Sequence, residues 1–98
     1  MTKAERLLGL ATRAGKIVTG TDLCEKAVKN GKAKLIVLAK GISKSTEKIF
    51  INLGVRIIYI DSEEKLGKCT GKEIRRVAVI TDKEFADAIL KAYIANEE

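Results

Sequence analysis

The chain has 98 residues, of which 46% are hydrophobic and 33% charged, the make-up of one folded domain with a modest core and not of a disordered tail. Nineteen Lys and Arg against thirteen Asp and Glu give a formal charge of +6, an excess that points to a polyanionic partner. Histidine is absent and there are only two cysteines, Cys24 and Cys69, which excludes His-based triads and dyads, HExxH sites, a CxxC pair and a four-ligand zinc cage.

In chain order, Thr2-Lys3-Ala4-Glu5 reads as a capping box, and Ala4, Leu7, Leu8, Ala11 and Ala14 follow the spacing of one helical face up to Gly15. Lys16 to Thr19 is short and β-branched, a brief strand. Gly20-Thr21-Asp22 opens a second helix with Leu23, Ala27 and Val28 inward, ending at Asn30-Gly31. Leu35 to Ala39 is a continuous apolar run of strand length, as expected of a strand covered on both faces. Ser43 begins a third helix carrying Ile49, Phe50 and Leu53, and Val55 to Ile60 is the next strand. Asp61-Ser62-Glu63-Glu64 caps a short helix that stops near Gly67. Val77 to Ile80 is another central strand. Thr81-Asp82-Lys83-Glu84 is a further capping box, followed by a helix striped with Phe85, Ala88, Ile89 and Ala92. Strands alternating with helices predict a three-layer α/β/α sandwich around a small sheet. The pattern leaves strand order open, with the short first strand a candidate for an antiparallel edge.

No signal-peptide core occurs between Met1 and Arg13, and no run approaches the ~18 apolar residues of a membrane span, so a soluble, cytoplasmic protein is expected. Free thiols fit a reducing compartment, with a single Cys24–Cys69 disulfide as the alternative. The four aromatics (Phe50, Tyr59, Phe85 and Tyr93) offer little for base-stacking platforms.

The charge is unevenly placed. Residues 1–76 hold 17 basic and 8 acidic side chains, and residues 77–98 hold 2 and 5. One cluster is Lys26, Lys29, Lys32 and Lys34, which can equally be a solvated surface. The other is Lys65, Lys68, Lys72, Arg75 and Arg76. Gly67-Lys68-Cys69-Thr70-Gly71-Lys72 combines two glycines with cationic and amide donors, suited to a phosphate backbone or, more plainly, to a helix stop plus a turn. It is not a P-loop, because three residues instead of four separate the glycines and Glu73 follows the lysine. Gly20-Thr21-Asp22 at a helix start is a second candidate anion site by its amides and dipole, but Asp22 works against a bare phosphate, and a plain helix cap is the leading reading.

Three blocks together resemble the kink-turn-binding ribosomal protein superfamily, the large-subunit types numbered seven Ae and thirty e, and within it the bacterial YlxQ-like branch. They are Leu7-Leu8-Gly9-Leu10-Ala11-Thr12-Arg13-Ala14-Gly15-Lys16, Gly31 to Ala39, and Leu66 to Glu73. The resemblance implies a four-stranded mixed sheet and one RNA-binding domain over residues 1–98. It also implies binding of structured RNA without catalysis, cofactor or metal, at the ribosome or associated with it. By resemblance the site is assembled from Gly20 to Lys26, Lys40 to Ser43 and Lys65 to Arg76. The expected contacts are Gly20, Thr21, Asp22, Lys26, Lys40, Lys68, Thr70, Gly71, Lys72, Arg75 and Arg76. The family's motif opens the second helix with Gly, a small residue, Asn, Glu, two variable residues and Lys. Gly20, Thr21 and Lys26 match it, whereas Asp22 stands in place of the Asn and Leu23 in place of the Glu. The alternative to RNA readout is a basic protein-interaction module within a ribonucleoprotein assembly.

Overall fold

The computed structural model describes residues 1–97. The elements run α1 (Lys3–Arg13), β1 (Ile17–Thr19), α2 (Thr21–Lys29), β2 (Leu35–Ala39), α3 (Lys44–Phe50), β3 (Ile57–Ile60), α4 (Glu63–Cys69), β4 (Val77–Ile80) and α5 (Lys83–Glu97). This is the expected alternation. The sheet order is β1-β4-β2-β3, with β2 and β3 parallel and both other pairings antiparallel. The short first strand therefore does lie antiparallel at an edge.

Alternation along the central strands feeds two cores. Leu35, Val37, Ala39, Ala78 and Ile80 face one side, where Ala4, Leu8, Leu66, Ala86 and Ile89 cover them from α1, α4 and α5. Ile36, Leu38, Val77 and Val79 face the other, under Cys24 and Ala27 of α2 and Phe50 of α3. Every residue of β2 and β4 is buried, which is why these stretches read as unbroken apolar runs. Each large side chain so buried contributes roughly 1.5–3 kcal/mol.

The capping box at Thr2 is present as expected: Thr2 Oγ1 accepts the Glu5 N–H at 3.1 Å and Glu5 Oε1 accepts the Thr2 N–H at 2.8 Å. The capping box expected from Thr81 to Glu84 is replaced by a cap one residue later: Asp82 Oδ2 accepts the Phe85 N–H at 2.9 Å at the start of α5.

Five expectations from spacing are corrected. Ala14 is exposed, because α1 ends at Arg13 and Ala14 is its C-cap. Leu23 is 62% exposed, because the inward stripe of α2 is Cys24, Ala27 and Val28, one residue later. Leu53 is exposed, since α3 ends at Phe50 and the chain then turns through Asn52 at φ 63°. Ala88 is exposed beside the true stripe of Ala86, Ile89 and Ala92. Gly67 does not stop α4, which runs through it to Cys69. A β-carbon there would lie 2.6 Å from the Glu73 carbonyl carbon and oxygen and 2.7 Å from the Ile74 nitrogen. Gly67 is thus a point of close backbone approach inside a helix.

The disulfide alternative also falls: both cysteines are free, with Cys24 and Cys69 in the cores on opposite sides of the sheet.

Candidate nucleic-acid interface

Three loops meet at one end of the sheet because the strand pairing forces them together. The Gly20 N–H donates to Val77 O at 3.2 Å, the Ala39 N–H to Arg76 O at 2.9 Å and the Lys40 N–H to Ile60 O at 2.8 Å. The ends of β1, β2 and β3 and the start of β4 therefore line up. The segments Gly20 to Lys26, Lys40 to Ser43 and Lys65 to Arg76 leave or enter the sheet there.

The segment after α4 is held tightly. Thr70 closes the helix with its hydroxyl, which donates to Leu66 O at 2.9 Å and Gly67 O at 3.2 Å. The Lys72 N–H returns to Gly67 O at 2.7 Å, and the Arg75 N–H reaches Glu63 O at 3.0 Å. Gly71 makes the turn between them at φ 77°, a conformation that glycine adopts without strain. The loop is thus strapped onto its own helix, and the missing Gly67 side chain is what lets it lie so close.

Each residue expected to touch RNA can now be placed. Gly20 precedes α2 at φ 95° and offers no side-chain cap, so the first-turn amides of α2 have no side-chain acceptor at the N-cap. Thr21 is half-buried, and Asp22 and Lys26 are exposed. Lys68, Gly71 and Lys72 are exposed on and after α4. Thr70 departs from expectation: it is 4% exposed and its hydroxyl is committed to the backbone, a structural post and not an outward donor. Lys40 pairs with Asp61 at 3.6 Å and Arg76 with Glu63 at 3.2 Å. Lys65 is shared between Asp61 at 3.7 Å and the buried Glu5 at 3.8 Å. Lys26, Lys68, Lys72 and Arg75 make no ion pair among the described residues.

Counting charges along the sequence missed this sorting of paired from unpaired cations. It also passed over Lys44, exposed in the first turn of α3. The acids Asp61 and Glu63 were legible as helix-capping residues, but only the fold brings them to Lys40 and Arg76.

The first cluster divides. Lys26 lies in the last turn of α2, the helix whose start is at the shared end, whereas Lys32 and Lys34 emerge at the opposite end of the sheet, where the Lys34 N–H donates to Ile80 O at 2.7 Å.

Arg75 bridges the site to the core. Its Nε is buried with no hydrogen-bond partner, its Nη1 donates weakly to Ile74 O at 3.3 Å, and its charge acts on the Cys24 thiol. That thiol donates to Val18 O at 3.2 Å. Burial pushes it up from 9.0 to about 12, against the smaller lowering effects of a Val79 backbone contact and Arg75. Burial raises the Cys69 thiol as well, with Glu5 adding to the rise. Neither cysteine is therefore an activated thiolate.

A pH dependence follows from Cys24. The unfolded chain releases this proton near 9.0 while the folded chain holds it to about 12, so stability is unaffected below pH 9 and falls as pH rises between those values. The expected loss approaches ~1.4 kcal/mol per pH unit inside that window. Urea unfolding at pH 8.5 and 10 should show a smaller decline for Cys24→Ala than for the natural chain. Equal declines in the two proteins would refute it.

Five helices layered on a four-stranded mixed sheet, with three loops gathered at one end, define a three-layer α/β/α domain of a widely shared type. The chain belongs to the ribosomal protein L7Ae/L30e/S12e/Gadd45 family, whose sequence profile matches residues 2–91. It is similar to the RNA-binding protein YlxQ of Bacillus subtilis, 39% identical over 88 residues that cover 86% of this chain and 88% of that one. It is also similar to the large ribosomal subunit protein eL8 of Cenarchaeum symbiosum, 29% identical over 91% of this chain and 75% of that one. Among solved structures, a protein of unknown function from Bacillus halodurans superposes with a TM-score of 0.91 at 28% identity, covering 96% of this chain and 99% of that one. The Giardia lamblia 15.5kD RNA binding protein shares the fold, with a TM-score of 0.74 at 21% identity over 95% of this chain and 83% of that one.

Proposed function

We propose that this chain is a non-catalytic, cytoplasmic RNA-binding protein, ribosomal or ribosome-associated, that docks structured, kink-turn-like RNA on the end of the sheet where the three loops meet. The observation that carries the reading is the convergence of those loops, with Lys26, Lys68, Lys72 and Arg75 left without carboxylate partners among the described residues. The names of the relatives, RNA-binding YlxQ and ribosomal eL8, point the same way. Docking is electrostatic in the first instance, with the Gly20 turn and the Lys68–Lys72 segment approaching the backbone most closely and amides adding donors. Selectivity comes from the shape of a bent backbone, since aromatic platforms are lacking.

The test is Lys72→Ala with Arg75→Ala, read by titration of a labelled kink-turn hairpin at several salt concentrations. Affinity should fall about tenfold, and the slope of log K against log salt should shrink by about 2, one unit for each phosphate that is no longer neutralised. Unchanged affinity and slope would remove this face as the docking surface. Retention of a protein partner after complete nuclease digestion, with no RNA affinity, would instead favour the protein-interaction module.

A further inference from the structure

The cations at the opposite end of the sheet take no part in the interface just described. Lys16 precedes β1, Lys34 precedes β2 and Arg56 precedes β3, and backbone bonds fix them in a row. The Thr81 N–H donates to Lys16 O at 3.0 Å, the Lys34 N–H to Ile80 O at 2.7 Å, and the Ile36 N–H to Arg56 O at 2.8 Å. With strand order β1-β4-β2-β3 and neighbouring strands ~4.8 Å apart, the row spans ~14 Å, the reach of a few consecutive phosphates. Lys32 stands beside it in the turn after α2. All four side chains are exposed, and none makes an ion pair among the described residues. The acids at this end are Asp82, whose carboxylate accepts the Phe85 N–H, and the exposed Glu84, next to Lys83. Farther along α2, Lys29 is already paired with Glu25 at 3.3 Å.

We infer that this end is a second RNA-backbone surface, so that one copy of the chain holds two RNA segments at opposite ends of a body measuring 28 × 27 × 26 Å. The inference rests on the RNA-binding function proposed above and extends it to a second, sequence-independent contact. A phosphate backbone fits better than a protein partner because cations make up the row, and the exposed apolar side chains at this end, Ile51 and Leu53, are confined to the turn that leads to Arg56. Protein interfaces take their centre from apolar and aromatic groups, whereas backbone contacts need only exposed cations. Cations gathered this closely with no ion-pair partner among the described residues repel one another in the free protein, and a polyanion relieves that repulsion.

The experiment uses two plain RNA duplexes, one carrying a donor dye and one an acceptor, mixed with the full chain at low salt. The natural chain should couple them and give energy transfer. Lys32→Ala/Lys34→Ala/Arg56→Ala should bind the kink-turn hairpin within about twofold of the natural chain, yet lose most of the transfer, with its salt slope for plain duplex reduced by about 2–3. These substitutions are at exposed positions, and an unchanged thermal midpoint verifies that the variant is folded. A triple variant that still couples the duplexes overturns the second surface, because coupling then arises from self-association or from the first face alone. A natural chain that binds single duplexes without ever coupling two overturns it while leaving RNA binding intact. A natural chain that binds neither hairpin nor duplex overturns both.

Discussion

Gly67→Ala is expected to lower the thermal midpoint by roughly 10–20 °C and to weaken RNA binding together with stability. Considered as a helix residue alone, alanine should help, since it is favoured over glycine by about 1 kcal/mol in a helix interior. The packing decides otherwise. A β-carbon at Gly67 meets three backbone atoms of Glu73 and Ile74 at 2.6–2.7 Å, none of which can swing aside like a flexible side-chain end. The segment between α4 and β4 has to move outward, loosening the bonds from Lys72 N–H to Gly67 O and from Arg75 N–H to Glu63 O. Overpacking of this kind costs ~1–3 kcal/mol and each strained bond up to ~1 more, so the net loss is ~2–3 kcal/mol after the helix gain. At ~4–8 °C per kcal/mol for a domain of this size, the midpoint shift follows. Gly71→Ala is the control: its positive φ strains an alanine, but nothing lies within 4 Å of the new carbon, so the loop stays in place. If Gly67→Ala melts no lower than Gly71→Ala, the close approach is not what holds the loop. A Gly67→Ala protein that melts low yet binds the hairpin normally would show that the loop position is irrelevant to RNA.

The same glycine shows where sequence stops being informative. Periodicity finds helices and strands because it reports on burial one element at a time. The unbroken runs of β2 and β4 announced a sheet covered on both faces, and the capping patterns at Thr2 and Thr81–Glu84 announced helix starts, the second one residue early, since Asp82 is the cap. Gly67 could be read only as a boundary, because glycine's other use, close approach of a distant backbone, leaves no trace in local pattern. The charge census had the same blindness. Asp61 and Glu63 look like helix-start acids, and their second role as partners of Lys40 and Arg76 exists only once the loops converge. Thr70 looked like a donor beside lysines, yet a helix end must satisfy its last carbonyls, and that need claimed its hydroxyl. The three-loop arrangement itself was legible only through the family resemblance. Spacing alone carried no information on which strand ends would be neighbours.

Leu23 supplies the second large effect. Had it pointed inward, as its i, i+4 spacing with Ala27 suggested, replacing it would have damaged the core. It is instead 62% exposed in the first turn of α2, beside the exposed Asp22, on the end of the sheet where the loops meet. Asp22→Asn together with Leu23→Glu restores the two residues in which this chain departs from the motif of the family it resembles. The double change leaves net charge unaltered, since one carboxylate is removed and one added. The sequence-independent phosphate term should therefore stay constant, and any gain belongs to base recognition. An ionised Asp only accepts hydrogen bonds, whereas Asn both donates and accepts, and Leu can make none to a base edge. If each restored base contact is worth ~1–3 kcal/mol, as in duplex readout, affinity for a kink-turn hairpin should rise about 30-fold or more. Affinity for a plain duplex should stay within about threefold. Folding is not at risk, because a glutamate in the first turn is favourable to the helix dipole and an exposed leucine leaves no cavity. The single variants separate the two contributions, and their sum should match the pair only if the residues act on different bases. A double variant that gains nothing for the hairpin, or gains equally for duplex and hairpin, would mean that the start of α2 does not read bases in this protein. Docking would then rest on the lysines and Arg75 alone.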